Sequence, residues 1–300
     1  MKTGSTIFLL LAGLAICNGA DLEDMAKVSS NRLVNGQLAY EGQFPYAVSI
    51  QLLLSNGTQT EDRGHRCGGA LFTRSHVVTA ASCLNFQLLS ANEMRVFAGA
   101  VLLTNDTSSD RVRGVSNITI HPEYTGPPAF VNDVAVLALP VPFAENVVTP
   151  AALPSSNHNP PDFTTCTVTG WGGYDMTSQA SLQLRYVHKY IYNQNLCMSI
   201  YNSMIGATNI LPSMVCAVSL DLLSSNCNGD YGNPLVCAGT FTGILSQSDG
   251  CSRSSFPEIY TRISNQTRWL RSVSGSSAIY APGVFVTIAV FSVMQILFTA

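Results

Sequence analysis

Short runs in which apolar and β-branched residues alternate with polar ones recur through the middle of the chain. They are AVSIQLLL (47 to 54), GALF (69 to 72), HVVTAA (76 to 81), MRVFAGA (94 to 100), VSNITI (115 to 120), DVAVLAL (133 to 139), CTVTGW (166 to 171), LQLRYVHKYI (182 to 191), LVCAGTFTGILS (235 to 246) and EIYTRI (258 to 263). Gly, Pro, Asn and Ser clusters separate them, which predicts an all-β sandwich or barrel of short strands. Helix is expected only at NQNLCMSIYN (193 to 202) and TRWLRSV (267 to 273). No fixed-period repeat interrupts this pattern, and LPSSNHNPPDF (153 to 163) is the best candidate for a crossing between two β halves.

Both ends break the alternation. Lys2 precedes the apolar run IFLLLAGLAI (7 to 16), and small residues follow in CNGA. That order predicts a signal peptide over residues 1–20, because about ten apolar residues are too few to span a bilayer. Past Arg271 no charged residue or His appears. SVSGSSA (272 to 278), the spacer IYAPG and VFVTIAVFSVMQILFTA follow in turn, the order of a glycolipid-anchor signal with attachment near Ser274 to Ser277. A retained transmembrane helix is the alternative, weakened by the lack of Lys or Arg beyond the run.

Composition then narrows the class. With 300 residues, 46% hydrophobic content, 11% charged residues and a net charge of −3, the chain buries a full core and offers no basic surface for nucleic acid. Export makes the cysteines a disulfide set. Cys17 leaves with the signal, and Cys67, Cys83, Cys166, Cys197, Cys216, Cys227, Cys237 and Cys251 remain as an even eight. Zinc is disfavoured, since no CxxC occurs and His65, His76, His121, His158 and His188 are scattered; no metal or cofactor is expected. Sequons at Asn56, Asn105, Asn117 and Asn265 fit a glycosylated, secreted protein.

Six ordered motifs carry a resemblance. RLVNGQLAYEGQFPYAVSI (32 to 50), CGGALFTRSHVVTAASC (67 to 83), NDVAVLALP (132 to 140), CTVTGWG (166 to 172), CNGDYGNPLVC (227 to 237) and PEIYTRIS (257 to 264) resemble the landmarks of trypsin-like serine proteases of the chymotrypsin fold. The resemblance implies two six-stranded antiparallel β-barrels with the active site between them and a short C-terminal helix. It also implies the pairs Cys67 with Cys83, Cys166 with Cys237, Cys197 with Cys216, and Cys227 with Cys251. The expected organisation is a signal over 1–20, a short propeptide over 21–32, the protease-like domain over 33–273 and an apolar tail over 274–300.

Measured against that family, the chemistry is degenerate. Where active members carry the base His in TAAxC, this chain has Ser82, and a neutral hydroxyl is no general base near pH 7. Where they carry the nucleophilic serine, it has Tyr231, a poor nucleophile that fills the space of a scissile carbonyl. Asp133 matches the orienting acid and Ser246 the buried serine beside it, so Asp133 is expected to persist as part of a hydrogen-bond network. The oxyanion-hole positions fall at Gly229 and Tyr231. Ser225 lies at the base of the specificity pocket, Ser248 and Glu258 replace two wall glycines, and Gln247 stands where a Trp usually forms a shelf. A filled pocket is expected; the sharper alternative makes Glu258 a receptor for a Lys or Arg side chain. The activation apparatus is closer to the family, with Arg32 before Leu33 and with Asp230 matching the acid that pairs with the freed ammonium.

The reading is a non-catalytic homologue, secreted or surface-anchored, that binds a protein partner such as a protease, an inhibitor or a surface ligand. The alternative is a residual or unusual serine-type hydrolase, against which Tyr231 stands as an obstruction.

Overall fold

The computed structural model describes residues 36–53, 63–85, 90–103, 110–173, 180–203, 209–220, 226–227, 229–248, 251 and 256–275. Its alternating runs become strands. The first half supplies β1 (Gln37–Leu38), β2 (Ala47–Leu52), β3 (His65–Thr73), β4 (His76–Thr79), β5 (Met94–Ala98), β6 (Val112–Gly114), β7 (Asn117–Ile120) and β8 (Ala135–Ala138). The second supplies β9 (Thr165–Gly170), β10 (Arg185–Ile191), β11 (Met214–Val218), β12 (Pro234–Cys237), β13 (Thr240–Gln247) and β14 (Glu258–Arg262). Helices α1 (Ala81–Asn85), α2 (Gln194–Asn202) and α3 (Ile263–Val273) complete the described chain.

Each sheet counts seven strands where six were expected, and the reasons differ. The first runs β6-β5-β2-β3-β4-β8-β7. β6 and β7 are two pieces of one stretch, 112 to 120, that breaks at Val115 and Ser116. One piece pairs with β5 and the other with β8, so the bent stretch is a sixth strand that joins both edges of the sheet. The second runs β1-β10-β11-β14-β13-β12-β9, and an additional β9–β10 pairing closes six of these into a ring. The seventh is β1, two residues laid on β10 from outside. Closure leaves few free edges, which suits short strands that are marginal alone.

Several boundaries depart from the alternation pattern. MVCAV of β11 is buried almost throughout and shows no alternation, so its signal was missed. The run expected over 235 to 246 is a hairpin instead, because Ala238 and Gly239 both take positive φ and turn the chain back. The strand expected to end at Ala81 gives way there to α1.

Period-two patterning decides what enters the second core. Along β10, Val187, Lys189 and Ile191 point inward, while His188 between them is exposed. The core they join includes Val168, Val215, Leu235, Leu245 and Tyr260. The barrels meet at a seam around Trp171, which packs with Phe97 and Leu184 and donates from Nε1 to the Val101 carbonyl at 2.9 Å. Helix α3 returns to the first barrel's cluster through Ile263 and Leu270. The four disulfides are those that the resemblance implied: Cys67–Cys83, Cys166–Cys237, Cys197–Cys216 and Cys227–Cys251.

Candidate active-site cleft

Asp133 sits just before β8 with no exposed surface. Its backbone is fixed by Thr261, whose hydroxyl donates to the Asp133 carbonyl at 2.8 Å. Its carboxylate receives the start of α1: Ser82 N–H donates to Oδ1 at 2.7 Å and Ser82 Oγ to Oδ2 at 2.8 Å. Ser246 Oγ donates to the same Oδ2 at 2.6 Å. Burial pushes the Asp133 carboxyl up to about 6, and these donors hold it back from rising further. The expected network is therefore closed, with Ser82 as a direct partner of the acid instead of a base beyond it.

Tyr231 lies on the turn between Cys227 and β12. Gly229 and Gly232 hold φ values of +90° and +86°, a backbone that admits glycine readily. A Cβ at Gly232 would meet the Thr79 hydroxyl and the Gly68 carbonyl. Gly68 N–H donates to the Tyr231 carbonyl at 3.0 Å, which pins the turn against the first barrel. The Tyr231 phenol is raised above its ordinary pKa by burial and then by the negative fields of Asp230, Asp133 and Glu258. It stays protonated near neutrality, and among the described residues none accepts a hydrogen bond from its hydroxyl.

Of the positions that the resemblance assigns to the pocket, Glu258 has partners within the chain. Glu258, 1% exposed, begins β14 and takes the ammonium of Lys189 on Oε1 at 3.0 Å. The same oxygen accepts Asn226 N–H at 2.8 Å. Oε2 accepts Asn226 Nδ2 at 2.7 Å and Tyr260 OH at 2.6 Å. Four donors thus saturate the carboxylate, which corrects the sharper reading: the basic side chain that Glu258 receives is Lys189 of its own chain. Tyr260 is held protonated, well above its usual range, by burial and by Glu258. Ser248 Oγ donates to the Asn226 carbonyl at 3.4 Å, and Gln247 ends β13 opposite Ile259.

Lys189, Asn226 and Tyr260 were missed by sequence reasoning. The signal for Lys189 was a lone charge at an inward position of an alternating strand. His65 was missed too. It lies at the start of β3, buried, with Nδ1 at 2.7 Å from Ser49 Oγ and Nε2 at 2.9 Å from the Gly229 carbonyl. Both ring nitrogens are engaged, so it supports the turn. His76 bonds Thr73 and Ser75 on the first barrel's surface. Asp230 is fully buried and accepts Cys227 N–H, Gly172 N–H and the Asn233 amide. Burial lifts its carboxyl to about 7.

Ser225, Arg32, Leu33, Asn56, Asn105 and the apolar ends lie outside the described residues. Asn117 is exposed on β7 and donates to Thr119 Oγ1 at 3.0 Å, and Asn265 is exposed on α3. Among the described residues no group of His, Cys, Asp and Glu is placed to hold a metal, and no helix is long and apolar enough to cross a membrane.

Fold and cleft together define a two-barrel β protein of the chymotrypsin type. The family described as Trypsin matches residues 33–270, and the chain belongs to it. Trypsin alpha of Drosophila melanogaster is 30% identical over 274 residues, covering 90% of this chain and 98% of that relative. Trypsin beta of Drosophila erecta is 30% identical over 266 residues, with 87% and 96% covered. The solved structure of human heparin binding protein is 31% identical with a TM-score of 0.66, covering 81% of this chain and 96% of its own. The Drosophila relatives are named as trypsins, so they lend no support to a loss of catalysis here. That reading rests on positions 82 and 231 of this chain.

Proposed function

We propose that the protein is a non-catalytic member of the trypsin family that acts by binding a protein partner at the cell surface. One observation carries it: Ser82, at the position of the base, is spent as a hydrogen-bond donor to Asp133 while Tyr231 stands at the position of the nucleophile. Acyl transfer needs a good nucleophile with a base within reach of its proton; the Tyr231 phenol is a poor nucleophile and the Ser82 hydroxyl is no base. The internal Lys189–Glu258 pair adds a second obstacle, because a substrate side chain entering the pocket must displace a saturated ion pair. Human heparin binding protein, a structure of the same fold, is named for binding, which supports a binding reading.

The test is a fluorophosphonate probe applied to protein cut after Arg32. No adduct is expected, and an adduct at any serine would overturn the reading. The four disulfides suit an oxidising extracellular compartment. The order of residues 272–300 supports a glycolipid anchor. Phosphatidylinositol-specific phospholipase C should release the protein from cells, ending among Ser274 to Ser277. Recovery of the VFVTIAVFSVMQILFTA peptide from mature protein would establish a transmembrane tail instead. Released protein, crosslinked back to cell surfaces, then identifies the partner.

A further inference from the structure

The resemblance assigns Asp230 a partner that exists only after cleavage, a freed N-terminal ammonium. Among the described residues its carboxylate already has three donors. Oδ1 accepts Gly172 N–H at 3.0 Å and Asn233 Nδ2 at 2.7 Å, and Oδ2 accepts Cys227 N–H at 2.9 Å. Two of these come from the Tyr231 turn itself and one from Gly172, two residues past the second barrel's β9. A buried carboxyl with that many donors is held in place whether or not a cation arrives.

Asn233 is the one side chain among these three donors. Its side chain is 1% exposed and wedged across the seam between the barrels. A Cβ at Gly68, on β3, would collide with Asn233 Oδ1. One at Gly170, ending β9, would collide with Asn233 Nδ2. The backbone seals the same place: Asn233 N–H donates to the Asp230 carbonyl at 2.9 Å, and Leu245 N–H donates to the Asn233 carbonyl at 2.9 Å. The Tyr231 turn is thus tied to both barrels through one amide side chain and two glycines with no room to spare.

We propose that Asn233 is a built-in latch that holds the Tyr231 turn ordered in the uncut chain, so that cleavage after Arg32 is not what organises it. The surface around the turn is then presented for binding as soon as the protein folds. This inference does not depend on the loss of catalysis.

Hydrogen exchange across residues 227–237 tests it on full-length protein. Exchange in Arg32→Gln, which a trypsin-like enzyme cannot cut at that position, should agree within about twofold with exchange in protein cut after Arg32. Exchange at least tenfold faster in the uncut form would overturn the latch. Asn233→Gly should exchange at least tenfold faster in the uncut form, with β13 and β14 unchanged, and exchange at the wild-type rate would overturn the role of Asn233. The first comparison alters nothing in the turn and stands whether or not Asn233→Gly folds.

Discussion

Ser82 Oγ donates to Asp133 Oδ2 at 2.8 Å, sharing that oxygen with Ser246 at 2.6 Å. A base at position 82 would have stood between the acid and the cleft; the short serine ends the relay at its first bond. Asp133 therefore serves α1 and the Ser246 strand, a structural task that stands apart from any catalytic one.

If the protein is non-catalytic as proposed, building catalysis into it should take changes at both 82 and 231 and still fall short. Ser82→His alone gives a base with nothing to activate, and Tyr231→Ser alone gives a nucleophile without a base, so neither should cleave peptides. The double variant, cut after Arg32, should hydrolyse a small activated ester while its kcat/KM for peptides stays below ~10⁴ M⁻¹s⁻¹, the lower end of ordinary enzymes. Peptide turnover within the ordinary range would show that the Lys189–Glu258 pair does not close the pocket.

Breaking that pair should be costly. Lys189→Met leaves Glu258 buried without its cation, and a loss of about 3–5 kcal/mol is expected from denaturant unfolding. Lys189→Met combined with Glu258→Gln removes both charges and should recover more than half of that loss. A double variant no better than the single one would mean that the amide network around Asn226 and Tyr260, and not the charge, sets the cost.

Stability should fall as pH rises through the mildly acidic range. Asp133 and Asp230 carry folded values of about 6 and about 7, above their ordinary 3.8. Folding therefore binds protons: the contribution is fully present below about pH 4 and is lost as pH rises through 6 and then 7. Each carboxyl costs up to about 1.4 kcal/mol per pH unit across its window. Unfolding midpoints measured at pH 5 and pH 7.5 should decrease in that order. Asp133→Asn should remove the part of the slope that ends near pH 6.

The latch makes a packing prediction. Gly68→Ala forces a methyl group into Asn233 and should destabilise by about 1–3 kcal/mol. Asn233→Gly vacates that space, so Gly68→Ala should cost less in its presence, and a double-mutant cycle should return a coupling above about 0.5 kcal/mol. Strict additivity would place the Asn233 side chain away from Gly68.

The sequence by itself determined the class of fold, most strands, both longer helices, the positions of Ser82, Asp133 and Tyr231, and, through the family resemblance, the four disulfides. It did so because period-two alternation and ordered motifs are written along the chain. It left out β11, whose uniformly buried MVCAV run carries no alternation, and the hairpin at Ala238 and Gly239, whose positive φ is a conformation and not a composition. Only the tertiary structure decided what Glu258 binds. Lys189 lies 69 positions away in the chain, and the two meet because β10 and β14 both flank β11 and turn these side chains into one buried interior. The same holds for Asn233 and Asp230. Their spacing is visible in CNGDYGNPLVC, but the buried amide is held by Gly68 and Gly170 from two different barrels, and that closeness exists only after both have closed.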